Sequence, residues 1–339
     1  MQKAFVTQGP KSLNLAQVIA PEPCEGEVAL DVRAVGICGS DHHIYLGHHP
    51  YATFPVIQGH EFCAVVRRYG PGCEQKVPVG ERVVVEPLIR CGRCYPCSIG
   101  RYNCCENLQI VGLHVPGAFQ ESLVVPEQLI HPIGDLPAHI ATFAEPLSIA
   151  VQAVKRGRVV AGDKVLILGA GPIGLALVLA CKSVGASVAI ADLVDTRLEK
   201  ARMLGADRTH RSDRDDPQTL RTWSDGGMTA VIDAVAVAPA IQMGIDLIRS
   251  AGRFVLVGIN GQQLPIPIST IVAKEIDVIG SRNSVRVFPE AIALLQANVE
   301  KVSRLIHRSS GIETLPEMMD YSIEYPHLVE KVVVTMEDA

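Results

Sequence analysis

The sequence predicts an α/β fold in which a doubly wound parallel-sheet domain is joined to a second, mostly β domain. From Gly162 onward, apolar runs alternate with helical patterns, which is typical of βαβ units on a parallel sheet. Before residue 148, short period-two stretches are separated by prolines, which disfavours long helices. The chain has 339 residues, more than a single core usually supports, so two domains are expected.

The first 147 residues are expected to form the β domain. Residues 27–35 alternate between apolar and polar positions, and residues 82–87 form a short apolar run that Pro87 ends. Seven prolines between residues 21 and 87 interrupt this half of the chain. Strands and functional loops are therefore favoured here.

The parallel-sheet domain is expected to follow, over residues 148–283. The predicted strands lie near 165–168, 187–191, 230–235, 253–258 and 276–279, and the predicted helices near 172–184, 195–204 and 239–249. The remaining segment, 284–339, predicts a helix over 289–298 and short strands ending at 332–335. Because this tail is too short to fold alone, we expect it to return to the first domain.

Composition excludes several classes of protein. Hydrophobic residues make up 48% and charged residues 20%, the balance of a folded globular chain. The net charge is −5 and no run of lysines or arginines occurs, so nucleic acid is not an expected partner. The uncharged stretch 165–181 contains three glycines and a proline, which favours a strand, a turn and a buried helix over a membrane span. Without an N-terminal signal pattern, a cytoplasmic enzyme acting on a small molecule is expected.

A strand running into a glycine-rich turn and a helix indicates a dinucleotide site of the Rossmann type. The segment reads KVLILGAGPIGL, with the glycines in GxGxxG spacing. The first glycine allows the tight turn, the second the approach of a pyrophosphate, and the third the close packing of helix on strand. The predicted cofactor-binding residues of this turn are Gly169, Gly171, Pro172, Ile173 and Gly174.

An acidic residue ends the next predicted strand. Asp192 lies eighteen residues beyond Gly174, where a carboxylate can accept both ribose hydroxyls of NAD and repel the 2′-phosphate of NADP. The alternative is an ordinary strand-end or helix-capping aspartate. Arg197 leaves an opening for NADP, so the preference for NAD is the weaker half of this prediction.

Five of the ten cysteines fall within fifteen residues and predict a metal site. Cys91, Cys94 and Cys97 are followed by the neighbours Cys104 and Cys105, so one loop offers four thiolates to a closed, structural zinc ion. An iron–sulfur cluster or a redox dithiol is the competing interpretation. Spacing alone does not choose between Cys104 and Cys105 as the fourth ligand.

A second, more dispersed set of metal-binding residue types lies in the same domain. Cys38, His60 and Glu61 offer a thiol, an imidazole and a carboxylate, and Glu145 adds another carboxylate. A catalytic zinc ion needs about three protein ligands and one open position. Taken singly, each residue would more often be an ordinary buried side chain; taken together they predict a catalytic site.

These motifs resemble those of the zinc-dependent medium-chain alcohol dehydrogenases, and within them the sorbitol/polyol and sugar-acid dehydrogenase branch. The matching stretches are GICGSDHH, GHEFCAVV, VGERVVVEP, CGRCYPCSIGRYNCC, AEPLSIA, VLILGAGPIGLALV and GSRN. The resemblance implies a GroES-like fold for the first domain, with a structural zinc lobe near 88–108. The glutamine before Gly59-His60 differs from the usual family wording.

The resemblance also assigns roles to individual residues. It implies Cys38, His60 and Glu145 as catalytic zinc ligands, with Glu61 as an alternative ligand, and Cys105 as the fourth structural ligand. The resemblance further implies that the Asp41 carboxylate orients the His60 ring and that Ser40 and His43 relay a proton. It also implies a set of residues near the cofactor: Val257, Ser281, Arg282 and Asn283. His42, His48 and His49 have no family role and are expected at the surface or in a substrate loop.

The expected activity is oxidation of a secondary hydroxyl of a polyol, sugar or sugar acid by NAD, with two zinc ions per chain. Glutamate at 145, where simple-alcohol enzymes usually have cysteine, points to the polyol-like branch. Threonine 3-dehydrogenase and simple-alcohol dehydrogenase are the alternative enzymes. A non-catalytic binding or structural protein of the same fold is the alternative of another class, and a homodimer or homotetramer is expected.

Overall fold

The structure is a computed structural model that describes residues 1–259 and 267–336. The chain divides into two units. One comprises Met1–Glu145 and the segment from Ala291 onward, and the other comprises Pro146–Glu290. Among the described residues, no helix combines the length and the apolar character that crossing a bilayer requires.

The N-terminal part of the first unit is built mainly of strands. They are β1 (Gln2–Gly9), β2 (Ser12–Val18), β3 (Glu27–Ile37), β4 (Glu61–Tyr69), β5 (Arg82–Val85), β6 (Leu88–Ile89), β7 (Gln109–Ile110), β8 (Ser122–Pro126) and β9 (Ile130–Pro132). Its helices are short: α1 (Gly39–Tyr45), α2 (Tyr95–Ser98) and α3 (Ala138–Ala141). The prolines and the period-two pattern therefore indicated the right kind of secondary structure.

The second unit alternates strands and helices around a six-stranded parallel sheet. After α4 (Ala144–Arg156), which runs across the boundary, the elements are β10 (Lys164–Leu168), α5 (Pro172–Ser183), β11 (Ser187–Asp192), α6 (Asp195–Leu204), β12 (Arg208–Arg211), α7 (Gln218–Trp223), β13 (Met228–Asp233), α8 (Ala238–Leu247), β14 (Ile248–Leu256), α9 (Ile268–Lys274) and β15 (Asp277–Gly280). The strand order is β12-β11-β10-β13-β14-β15. Both neighbours of β10, β11 and β13, are parallel to it. From β10 the chain first adds β11 and β12 on one side and then β13 to β15 on the other, so the carboxyl end of β10 is the switch point at which such sheets bind ligands.

The C-terminal segment completes the sheet of the first unit. It contains α10 (Phe288–Gln296), α11 (Val299–Ser303), β16 (Ile306–Ser310), α12 (Leu315–Glu324) and β17 (Lys331–Thr335). The sheet order is β16-β17-β3-β4-β5-β9, with β8 paired to β3. Strand β17 runs antiparallel to β3, with Val332 opposite Ile37, which brings Lys331 beside the end of β3.

The predicted fold class is confirmed, and most element bounds agree to within a few residues. Helix α6 covers 195–204 as expected, because Leu198, Ala201 and Leu204 repeat at helical spacing and are buried. Strand β14 begins at Ile248, earlier than the predicted 253–258. The sequence analysis missed several elements, among them β12, α4 and α12. Strand β12 is short and mostly polar.

Candidate functional site

Four cysteines of the loop after β6 meet in one cluster. The ligand atoms of Cys91, Cys94, Cys97 and Cys105 all lie within 4.8 Å of one another. The Sγ atoms of Cys94 and Cys105 are 3.8 Å apart. Four sulfurs placed tetrahedrally at zinc–sulfur distances of about 2.3 Å would be separated by about 3.8 Å, so the cluster fits a zinc ion. Cys104 does not belong to this group.

The charges in the cluster also favour a cation. Hydrogen bonds from the backbone N–H groups of Arg93 and Cys94 lower the pKa of the Cys91 thiol to about 6. Desolvation, together with the neighbouring thiols, raises the pKa of Cys97 to about 12. One thiolate forms readily, whereas four together require a positive ion to balance them.

A second donor set lies where β3 ends and β4 begins. Because β3 and β4 pair with Gly36 opposite Glu61, the chain places Cys38 next to His60 and Glu61. The candidate ligand atoms of these three residues lie within 4.8 Å of one another. A thiolate, an imidazole and a carboxylate are the donors that zinc takes in catalytic sites.

The surroundings of this set are strongly anionic. Burial opposes the charge on His60, yet Asp41, Cys38 and Glu145 hold its pKa well above the ordinary histidine value. Burial raises the pKa of Glu145 to about 7, and the nearby Glu61 adds to the shift. A site that stabilises a proton on its histidine in this way is also suited to a divalent cation at the same position.

Glu61 has a buried cation beside it. The ammonium of Lys331 contacts the Glu61 carboxylate, and both side chains are almost fully buried. Lys331 also donates a hydrogen bond of 3.1 Å to the backbone carbonyl of Ile37, at the end of β3. The structure therefore ties the return strand β17 to the donor set.

The other predicted residues of this site fall around His60. The Ser40 hydroxyl lies 3.5 Å from Nε2 of His60, and Oδ1 of Asp41 lies 3.9 Å from Nδ1 of the same ring. His43 is exposed on α1. Glu145 lies partly buried in the first turn of α4 and acts on His60 electrostatically, but it is not one of the three gathered donors. Its role as the third ligand stays a prediction.

The glycine-rich turn follows β10 at the carboxyl edge of the parallel sheet. A Cβ at Gly174 would lie 1.9 Å from the carbonyl oxygen of Gly169, so only glycine lets α5 pack this close to the strand. A Cβ at Gly171, by contrast, would meet nothing within 4 Å. Gly171 precedes Pro172 at the start of α5, so open space lies at a helix N-terminus that can receive a phosphate.

Asp192 is the last residue of β11, next to this turn. Its carboxylate accepts hydrogen bonds from the backbone N–H groups of Ala170, at 2.6 Å, and Val194, at 2.9 Å. A carboxylate has about four lone-pair positions, so capacity for ribose hydroxyls remains. The other predicted cofactor residues lie in the first turn of α5, in α6 and just after β14 and β15: Ile173, Arg197, Val257, Ser281, Arg282 and Asn283.

Comparison with known families gives both halves of the chain the same assignment. Residues 24–135 match the alcohol dehydrogenase GroES-like domain, and residues 172–297 match the family described as zinc-binding dehydrogenase. The chain belongs to the zinc-dependent medium-chain dehydrogenases. The predicted family resemblance is thereby confirmed.

Individual relatives of this dehydrogenase are similar over most of its length. This chain is 39% identical to the 2-dehydro-3-deoxy-L-galactonate 5-dehydrogenase of Pseudoalteromonas atlantica over 280 residues, which are 81% of each chain. A structure from Escherichia coli CFT073, described as a short chain alcohol dehydrogenase with NADH, covers 98% of this chain and 99% of its own at 34% identity and a TM-score of 0.92. A zinc-binding dehydrogenase of Sinorhizobium meliloti 1021 bound to NADP covers 99% of both chains at 30% identity and a TM-score of 0.91.

Three features of the dehydrogenase were missed by the sequence analysis. The first two are the buried polar side chains of Lys331, at the start of the apolar run of β17, and of Gln58, in an apolar stretch before Gly59. In both cases, a polar residue in an apolar stretch was the signal that could have indicated a functional side chain. The third is His42, which was expected at the surface or in a substrate loop. Its Nε2 atom instead lies 2.8 Å from the hydroxyl oxygen of Ser322. Because Ser322 is on α12, this contact fixes α1 against the return segment.

Proposed function

We propose that this dehydrogenase oxidises a secondary hydroxyl of a polyol, sugar or sugar acid to a ketone, with zinc and NAD. The observation that carries the proposal is the donor set of Cys38, His60 and Glu61, of which Glu61 is buried and the other two are partly buried, with the Ser40 hydroxyl beside His60. A metal-binding set with an adjacent hydroxyl is suited to removing a proton from a substrate alcohol.

The residues of the chain divide the work of the reaction. When bound, zinc supplies a Lewis acid that lowers the pKa of a substrate hydroxyl, and NAD supplies the hydride acceptor. Cys38 and His60, with a carboxylate from Glu61 or Glu145, would hold the metal. Ser40 accepts the substrate proton, and the exposed His43 passes it to solvent.

Asp192 supports NAD as the cofactor. Its carboxylate lies at the strand end, next to the glycine turn, where a 2′-phosphate would be repelled and free ribose hydroxyls accepted. The Escherichia coli relative was described with NADH and the Sinorhizobium meliloti relative with NADP, so the family fold takes both. The preference in this chain therefore depends on its own acidic residue.

Polar residues around the donor set support a polyhydroxy substrate. Glu61, Ser40 and His43 offer donors and acceptors that a short alcohol could not engage. The relative from Pseudoalteromonas atlantica is named for a sugar acid. We therefore place sugar acids first within the proposed substrate class.

The proposal is tested by following NAD and NADP reduction with the purified, zinc-containing protein on aldonates, polyols, threonine and short alcohols. We expect kcat/KM with NAD for the best polyhydroxy substrate to exceed that for ethanol by at least about a hundredfold, because ethanol cannot make the hydrogen bonds that the extra hydroxyls of a polyhydroxy substrate make with the site. Comparable efficiency on ethanol, or turnover of threonine alone, would contradict the substrate class. Turnover with NADP alone would contradict the reading of Asp192.

Two zinc ions per chain are expected, one in each donor set. Cys105→Ser should reduce the zinc content to about one per chain, because Cys105 is one of the four sulfurs of the closed cluster. Cys104→Ser, the matched control, should retain both ions, since Cys104 is outside the cluster. Elemental analysis of protein purified without chelator measures this. A single zinc in the unaltered protein, or iron in place of zinc, would be incompatible with the proposal.

A further inference from the structure

Gln58 is a fully buried glutamine two residues before His60. Its Oε1 accepts a hydrogen bond of 2.6 Å from the Thr7 hydroxyl. Its Nε2 donates to the backbone carbonyl of Asp41 at 3.0 Å and to the Asp41 carboxylate oxygen Oδ1 at 3.1 Å. A buried amide is costly unless its hydrogen bonds are made, and here both ends of the amide are bonded.

Asp41, the residue that Gln58 holds, connects two of the candidate metal ligands. Its Oδ2 accepts a hydrogen bond of 2.9 Å from the backbone N–H of Cys38. Its Oδ1 lies 3.9 Å from Nδ1 of His60 and accepts from the backbone N–H of Gly59 at 3.4 Å. One fully buried carboxylate thus sits between the thiol ligand and the imidazole ligand.

We infer that Gln58 is a positioning residue for the catalytic metal centre, which it serves by fixing the carboxylate of Asp41. The inference rests on the proposed zinc site formed by Cys38 and His60. A metal-binding histidine usually has a carboxylate, a backbone carbonyl or a water molecule at its second nitrogen, which sets the tautomer and the ring orientation. Gln58 donates to Oδ1 of Asp41, the oxygen that also lies nearest Nδ1 of His60, and Thr7 in turn fixes the amide of Gln58.

The physical consequence of losing Gln58 follows from these contacts. Without its Nε2 group, Asp41 loses donors to both its backbone and its carboxylate while remaining buried. The carboxylate would then be held only by the backbone N–H groups of Cys38 and Gly59, so its orientation beside His60 would become less defined. Loss of groups that orient metal ligands typically weakens metal binding about 10–100-fold.

The test compares Gln58→Met with Gln120→Met in the zinc-containing protein. Methionine is close to glutamine in length and volume but cannot replace its hydrogen bonds. Gln120 is a similarly buried glutamine of the same unit, and its side chain bonds to Gln2 and to the backbone of Gly117 instead of Asp41. The measurement is competition with a zinc-specific chelator, which resolves the dissociation constant of each bound zinc.

We expect Gln58→Met to raise the dissociation constant of one zinc about 10–100-fold and to leave the other, held by the four cysteines, unchanged. Gln120→Met should change neither. Thr7→Val should raise the dissociation constant of the same zinc by a smaller factor. It replaces Gln58→Met as the test variant if Gln58→Met does not fold. Equal zinc affinities in all variants, or equal weakening by the two methionine variants, would overturn the inference while the proposed activity stands. If the unaltered protein bound only the zinc of the four cysteines, both the role of Gln58 and the proposed zinc-dependent activity would be overturned.

Discussion

Ser40→Ala is expected to lower kcat about 10²–10⁴-fold with the best substrate, the range typical of a lost proton-transfer group. The Ser40 hydroxyl lies 3.5 Å from Nε2 of His60, next to the place where the substrate hydroxyl must sit if His60 holds the metal. Without it, the substrate proton has no acceptor on the chain at that position. Steady-state kinetics over a range of pH, together with the zinc content, measures the effect.

Two further variants separate proton transfer from structure. Ser40→Thr keeps a hydroxyl and should retain most of kcat. Ser98→Ala removes a hydroxyl that donates to the carbonyl of Tyr95 in the cysteine lobe and should leave kcat unchanged. If Ser40→Ala kept its kcat, the assignment of Ser40 as the proton acceptor would be wrong. If it instead lost zinc, its role would lie in holding the site together.

The fold could be predicted from the sequence because its signals are local. Residues 195–204 repeat at helical spacing, and 165–168 form an apolar run that ends in glycine, so each element is indicated by its own residues. The parallel sheet follows from their alternation. By contrast, β12 is a short, polar strand at the edge of the sheet, and only its pairing with β11 defines it.

The candidate site was predictable to the same local extent. The cysteines of the structural cluster lie within one loop, and Asp192 lies at a fixed distance from the glycine turn. Contacts between distant segments had no such signal. Lys331 reaches Glu61 only because β17 pairs with β3, and Gln58 reaches Asp41 only because α1 folds beside the start of β4. Local spacing carries no information about which strands pair or which loops meet.

The contact between Lys331 and Glu61 leads to the second prediction, which concerns stability. Lys331→Met should lower the free energy of unfolding of the zinc-containing protein by about 3–5 kcal/mol, the usual cost of removing one member of a buried ion pair. The side chains of Lys331 and Glu61 are only 2% and 1% exposed, so water cannot solvate the carboxylate that remains. Cys38 and Glu145 also favour the charged form of Lys331. Denaturant unfolding measures the change.

An exposed ion pair of the same unit provides the matched control. Lys3 pairs with Glu313, but these side chains are 42% and 54% exposed, so Lys3→Met should cost less than about 1 kcal/mol. Adding Glu61→Gln to Lys331→Met should recover part of the loss, because the remaining buried group is then neutral. If Lys331→Met and Lys3→Met lowered the free energy of unfolding equally, burial would not determine how much the Lys331 ion pair contributes to stability. If the double variant Lys331→Met/Glu61→Gln were no more stable than Lys331→Met, the lost free energy of unfolding would come from the packing of the lysine stem. The charge of Lys331 would then not be required to keep Glu61 buried.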